Sequence, residues 1–203
     1  MRKMMFLFAI AILVVAVNGC SKPPQMDIDA AKVALDGARS AEAGTYAEDS
    51  LRSAEDAMAQ LDQELKVQEE KFALFRSYKK STELATSAKA AGEKAQTDAK
   101  AGKEQKKGEA EAAISEAKTS LEATKAALDA APKGKGTQAD LAAMKADLEG
   151  GASVIAEAES AFNAEKYIDA KAKADGAKQT IQAVGSAIEQ AKAAREAARA
   201  GRR

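Results

Sequence analysis

Apolar residues in this chain recur at spacings of three and four, the period of an α-helix that buries one face. From Tyr167 the series runs through Ala170, Ala174, Ala177, Ile181, Val184, Ile188 and Ala191, an unbroken heptad seam. The segment before it repeats the pattern with Leu141, Met144, Leu148, Gly151, Ile155, Ala158 and Phe162. Nearer the start, Ile28, Ala31, Leu35 and Ala38 form one stripe, and Ala47, Leu51, Ala54, Met58, Leu61 and Leu65 form another. No segment shows the alternation of a β-strand. The expected fold is all-α, an Ala-rich antiparallel helical bundle with long, coiled-coil-like helices.

Breakers place the connections. Ala43-Gly44-Thr45 separates the first two stripes, with Gly44 suited to the left-handed position after a helix. Pro132-Lys133-Gly134-Lys135-Gly136 reads as a turn, after which Thr137 caps the next helix with Asp140 three residues on. Residues 163 to 166 read as a short link between antiparallel helices. Between Lys66 and Lys80 there is no Gly or Pro, so a continuous helix and a tight turn both remain open.

From Thr82 to Ala131 the chain reads as one long helix whose register slips. One seam runs Ala85, Ala88, Gly92, Ala95, Ala99, and another runs Ala110, Ile114, Ala117, Leu121, Thr124, Leu128. The stretch between them, AGKEQKKG, is polar on every side. Either an 11-residue step carries one seam into the next or the chain turns; the expectation is an exposed or frayed segment. The organisation is then a helical hairpin domain at 27–101, an exposed helix and turn at 102–136, and a second hairpin at 137–203.

Composition sharpens this picture. Of the 203 residues 51 are Ala, Cys occurs once, and His and Trp are absent. Without His, a Ser-His-Asp or Cys-His nucleophile pair, an imidazole zinc site and a His general base are all excluded. One Cys forms no internal disulfide and no CxxC site. No carboxylate pair stands out from the regular Glu/Lys dressing of the helices, so the chain reads as a non-enzyme without metal or cofactor. Balanced charge and few aromatics also argue against a nucleic-acid surface. From Cys20 onward only 29 of 184 residues are Val, Ile, Leu, Met, Phe or Tyr. Small seam residues let helix axes approach closely but leave a thin core, which favours self-association or a covering partner.

At the other end of the chain, Arg2 and Lys3 precede an apolar run from Met4 to Val17, followed by Asn18, Gly19 and Cys20. A basic start, a short greasy centre and a small residue at the cut make a secretory signal over residues 1–19, and the run is too short to span a bilayer. Val17-Asn18-Gly19-Cys20 resembles the lipobox of bacterial lipoproteins, with Asn18 in place of the usual Ala or Ser. The resemblance implies cleavage before Cys20 and its lipidation with palmitate-like chains, each methylene adding about 0.8 kcal/mol of membrane affinity. Ser21 after the Cys implies the periplasmic leaflet of an outer membrane. Residues 20–26, with Pro23 and Pro24, read as a tether. Loss of the leader leaves 29 basic and 31 acidic side chains, a net charge of −2.

A shift of 120 residues lays Leu35 on Ile155, Ala38 on Ala158, Ala54 on Ala174 and Leu61 on Ile181, an internal repeat of hairpin seams. The three tyrosines, Tyr46, Tyr78 and Tyr167, each precede an Ala pair spaced by three, as residues that fill the gap between two helices at a hairpin start. Tyr167-x-x-Ala170-x-x-x-Ala174-x-x-Ala177 resembles the second half of a tetratricopeptide hairpin, without the first half's bulky signature or a tandem period of about 34 residues. Tyr46-Ala47, Leu51 and Ala54 are similar to bacterial lipoproteins with a helical domain of unknown function. Braun-type lipoproteins join a lipid anchor to a helical rod and attach to the cell wall through a terminal Lys; this chain ends in Arg202-Arg203.

Lys192, Arg195, Arg199, Arg202 and Arg203 gather at the end of the chain against a single acid, Glu196. They read as cations that complement a helix C-terminus or as a contact for an anionic surface. Lys100, Lys103, Lys106 and Lys107 read as solvated helix surface. The expected function is a lipid-anchored periplasmic module of the cell envelope, structural or protein-interacting, with the membrane and an envelope protein or a second copy as partners. The alternative is a carrier or chaperone that holds a lipid or peptide in a cavity lined by Phe72, Leu74 and Phe75.

Overall fold

The computed structural model describes residues 22–131 and 138–201. The leader, Cys20, the turn at 132–136, the cap at Thr137, and Arg202 and Arg203 lie outside the described residues. Six α-helices and no strand are found among those described: α1 (Gln25–Ser40), α2 (Ala43–Tyr46), α3 (Glu48–Glu70), α4 (Lys79–Asp129), α5 (Gln138–Asn163) and α6 (Tyr167–Ala200). A 3-10 turn, Ala73–Phe75, lies between α3 and α4. The residues divide into two compact units, one up to Gly102 and one from Lys103, and the 51-residue α4 supplies side chains to both.

In the first unit the seams read from the sequence form the core. Ile28, Ala31, Leu35 and Ala38 of α1 meet Ala54, Met58 and Leu61 of α3 and Ala85, Ala88, Ala95 and Ala99 of α4. Arg39 donates to Glu55 at 2.7 Å, so α3 runs back along α1. Lys80 pairs with Glu64, and Ser50 near the start of α3 donates to Asp98 far along α4, so α4 runs antiparallel to α3. Small residues make this closeness possible: at Gly92 a Cβ would stand 2.8 Å from the backbone carbon of Ala34. A Cβ at Gly102 would overlap the carbonyl oxygen of Tyr46. Both glycines are therefore places where one helix needs the whole width of a missing methyl group.

Helix ends explain the connections. The prolines lack an N–H to satisfy, so α1 begins directly after Pro24. Asp27 in its first turn and Arg39 in its last complement the helix dipole. The chain turns out of α1 at Glu42, which takes the left-handed conformation (φ 61°) expected of Gly44. The turn closes two residues early because the Ala41 and Glu42 N–H groups bond back to Gly37 and Arg39, and Gly44 lies inside the short α2 instead.

In the second unit, Ala113, Ile114, Ala117 and Leu121 of α4 form one core with Leu148, Ile155 and Ala158 of α5 and Ala174, Ala177, Ile181, Val184 and Ile188 of α6. Residues 103–131 are thus one wall of a three-helix core, and not an exposed segment beside a hairpin. Nor is the polar stretch around Gly102 frayed: α4 is continuous across it, and Ala99 and Ala110 are both fully buried. The 11-residue step between two seams is the arrangement adopted.

The link from α5 to α6 is a Schellman turn. The Lys166 N–H bonds the Ala161 carbonyl and the Glu165 N–H bonds that of Phe162, with Glu165 left-handed at φ 59°. Lys103 binds the Glu165 carboxylate at 2.7 Å and holds its pKa below the ordinary glutamate value. The α6 seam is buried from Tyr167 to Ile188, and from Ala191 onward the helix continues with exposed side chains, Lys192 half-buried among them.

Candidate functional site

The end of the first unit where α3 meets α4 carries the chemistry that departs most from an alanine seam. The heptad positions after Leu61 place Glu64 and Gln68 in the core line, and both are buried. Gln68 donates to Glu64 at 2.7 Å, and Lys80 from the start of α4 reaches the other carboxylate oxygen at 2.8 Å. The Gln68 side-chain oxygen accepts the Ser77 N–H at 3.0 Å. Ser81 completes the layer, its hydroxyl buried and without a hydrogen-bond partner among the described residues.

These groups build the turn that no Gly or Pro marks. Helix α3 ends at Glu70 with its last carbonyls unpaired by helix geometry. Arg76 folds back onto them, donating to Glu69 O at 2.7 Å and Lys71 O at 3.0 Å. The 3-10 turn between is closed by Phe75 N–H to Phe72 O at 2.8 Å. Phe72, Leu74 and Phe75 are 69 %, 58 % and 76 % exposed on this tip. Side chains this exposed lie on the surface of the tip, while Glu64, Gln68 and Tyr78 are buried.

Hydrogen bonds from Lys80 and Gln68 hold the Glu64 carboxyl below its ordinary pKa, against the opposing effect of burial. The folded chain therefore binds this proton less readily than the unfolded chain does. The stabilisation is present above the unfolded-state value and is lost as pH falls through the folded-state value. Acidification below about pH 4, the ordinary glutamate range, is expected to weaken the α3–α4 end, and Glu64→Gln to flatten that limb of a stability–pH curve measured by urea unfolding. An identical acid limb in both proteins would show that the carboxylate contributes nothing.

The three tyrosines lie beside helix ends at the turns. Tyr78 immediately precedes α4, Tyr167 opens α6, and both are buried. The Tyr167 ring meets Phe162 edge-on at 5.2 Å across the turn. Tyr46 ends α2, half-buried, and its carbonyl lies over Gly102. At the far end of the chain Arg195 and Arg199 are exposed and Lys192 pairs with Glu189 at 2.8 Å. No helix among the described residues is long and apolar enough to cross a membrane, and no group of three or more His, Cys, Asp or Glu among them could hold a metal.

No family model matches the chain, and no curated protein or solved structure matches it significantly. Sequence reasoning misses the polar layer because Glu64 and Gln68 look like surface dressing, although Ala54, Leu61 and Gln68 keep a strict seven-residue spacing. That spacing is the signal that marks them.

Proposed function

We propose that the protein is a lipoprotein of the bacterial cell envelope, anchored through an acylated Cys20 to the periplasmic leaflet of the outer membrane, whose helical units serve as a structural or protein-interaction module. The observation that carries this reading is the sole cysteine, standing directly after Val17-Asn18-Gly19 at the end of a short apolar leader with a basic start. A Pro-containing tether then leads within a few residues into α1. Two alanine-seamed units offer long charged helix faces, which suit a binding or scaffolding role. The thin cores further favour a covering partner, an envelope protein or a second copy.

Replacement of the anchor tests the reading. In a bacterial host, Cys20→Ala is expected to move the protein out of the detergent-extractable mature membrane pool and leave it as an uncleaved precursor of higher mass. Unchanged mature, tightly membrane-bound Cys20→Ala protein would overturn it.

A further inference from the structure

We propose that the tip between α3 and α4, residues 71–80, is a second membrane contact that lays Phe72, Leu74 and Phe75 into the interface of an anionic bilayer beside the lipid anchor. The proposal rests on the anchor reading, because the anchor is what brings this end of the unit to a surface.

Position supports the contact. Arg39 of α1 is level with Glu55 of α3, and at 1.5 Å rise along both helices the start of α1 is then level with the last turn of α3. The tip follows that turn directly. The end of the unit from which the chain leads back toward Cys20 is therefore the end that bears the apolar tip. Lys22 is the second residue after Cys20, so the anchoring residue's backbone lies within about 8 Å of it along the chain.

Chemistry supports it independently. Three large apolar side chains stand outward on a turn fixed by Arg76, Gln68 and the closed 3-10 bond, with the Phe72 and Phe75 rings 6.3 Å apart. Met26 in the first turn of α1, 87 % exposed, adds a fourth at the same end. Residues 71–80 hold four cations, Lys71, Arg76, Lys79 and Lys80, and no acid. Arg76 and Lys80 are engaged with the protein, and Lys71 and Lys79 are exposed on either side of the apolar tip. Aromatic and Leu side chains at the headgroup boundary with flanking Lys and Arg match an interface that is apolar below and anionic above. Glu69 and Glu70 are exposed in the last turn of α3, before the tip, so what selects a bilayer over an apolar protein groove is the anchor at this end of the unit together with Lys71 and Lys79.

The chain has no Trp, so Phe75→Trp introduces a single indole at an exposed position. The acylated mature variant, beginning at Cys20, is reconstituted into vesicles of phosphatidylcholine with or without phosphatidylglycerol, with acyl chains brominated near the headgroup in a parallel set. In phosphatidylglycerol vesicles the expected result is a blue-shifted emission and loss of roughly half of it to brominated lipid, as for a side chain about 5–10 Å deep. Adding Lys71→Glu and Lys79→Glu is expected to reverse most of that loss. Flotation reads the anchor and the introduced indole reads the tip, so the two fail separately. Protein that floats with an unshifted, unquenched indole overturns the tip contact and leaves the anchor standing. Protein that does not float overturns both. Shielding that follows protein concentration without lipid makes a second copy the occupant and overturns the bilayer contact.

Discussion

Gly92→Ala and Gly102→Ala are expected to destabilise the first unit, although Ala is the better helix former at both positions. Propensity alone gives alanine an advantage of about 1 kcal/mol over glycine in a helix. At Gly92 the new methyl group would lie 2.8 to 2.9 Å from Ala34 and the Leu35 nitrogen, and at Gly102 it would overlap the Tyr46 carbonyl oxygen. These neighbours are mostly backbone and yield only if a helix moves. Overpacking of this kind costs about 1–3 kcal/mol and sometimes more, so the net change is unfavourable at Gly92 and larger at Gly102. Gly108 and Gly150 are the internal controls, because a Cβ there meets nothing within 4 Å. Gly108→Ala and Gly150→Ala should each stabilise by about 0.5–1 kcal/mol. Thermal unfolding of the four variants would show two signs of effect for one chemical change. Four shifts of the same sign would mean that the close approaches do not hold the unit together.

Leu61→Ala and Ile181→Ala are expected to be the most damaging truncations, each costing about 2–5 kcal/mol. Both side chains are fully buried, and few large ones share that condition: Leu61, Leu148, Ile181 and Ile188 are the bulkiest among the described residues. Where most seam positions are Ala, a branched residue fills space that no neighbour can reach, so the cavity left by truncation stays open. The damage should also be local. Amide exchange is expected to accelerate in α1 and α3 after Leu61→Ala and in α5 and α6 after Ile181→Ala, since each lies in the core of one unit. A loss below about 1 kcal/mol, which is far under the range for buried Leu→Ala, would contradict the assigned core.

The seams are legible because burial leaves a periodic trace even when its residues are small. Ala31, Ala38, Ala54, Ala85, Ala88, Ala95, Ala99, Ala170 and Ala174 are all fully buried, and each sits on a three-four series in the sequence. Leu35 and Ile155, Ala38 and Ala158, and Leu61 and Ile181, which a shift of 120 residues lays on one another, are all buried. What the sequence hides is every element made by side chains or by costly backbone. The turn after α3 is closed by Arg76 and Gln68, which are unremarkable residues in a helical sequence. Among the described residues Glu42 and Glu165 hold left-handed positions, where composition favours Gly, because the neighbouring N–H bonds outweigh a penalty of about 1–2 kcal/mol.

The candidate site is only partly readable for the same reason. Phe72, Leu74 and Phe75 announce themselves as a cluster, and their apolarity points inward. In the structure Glu64, Gln68 and Ser81 are buried and the cluster faces out. A side chain's direction at a turn depends on what caps the helix before it, and here that information resides in Arg76 and Gln68, which the hydrophobic pattern does not register.

If this protein is held to a membrane by its first mature residue, that residue must carry the modification. Mass analysis of the N-terminal peptide of protein extracted from its host membrane reads it directly. The expected peptide begins at Cys20 and carries acyl chains on that residue. A peptide that begins elsewhere, or begins at Cys20 with an unmodified thiol, would contradict the account.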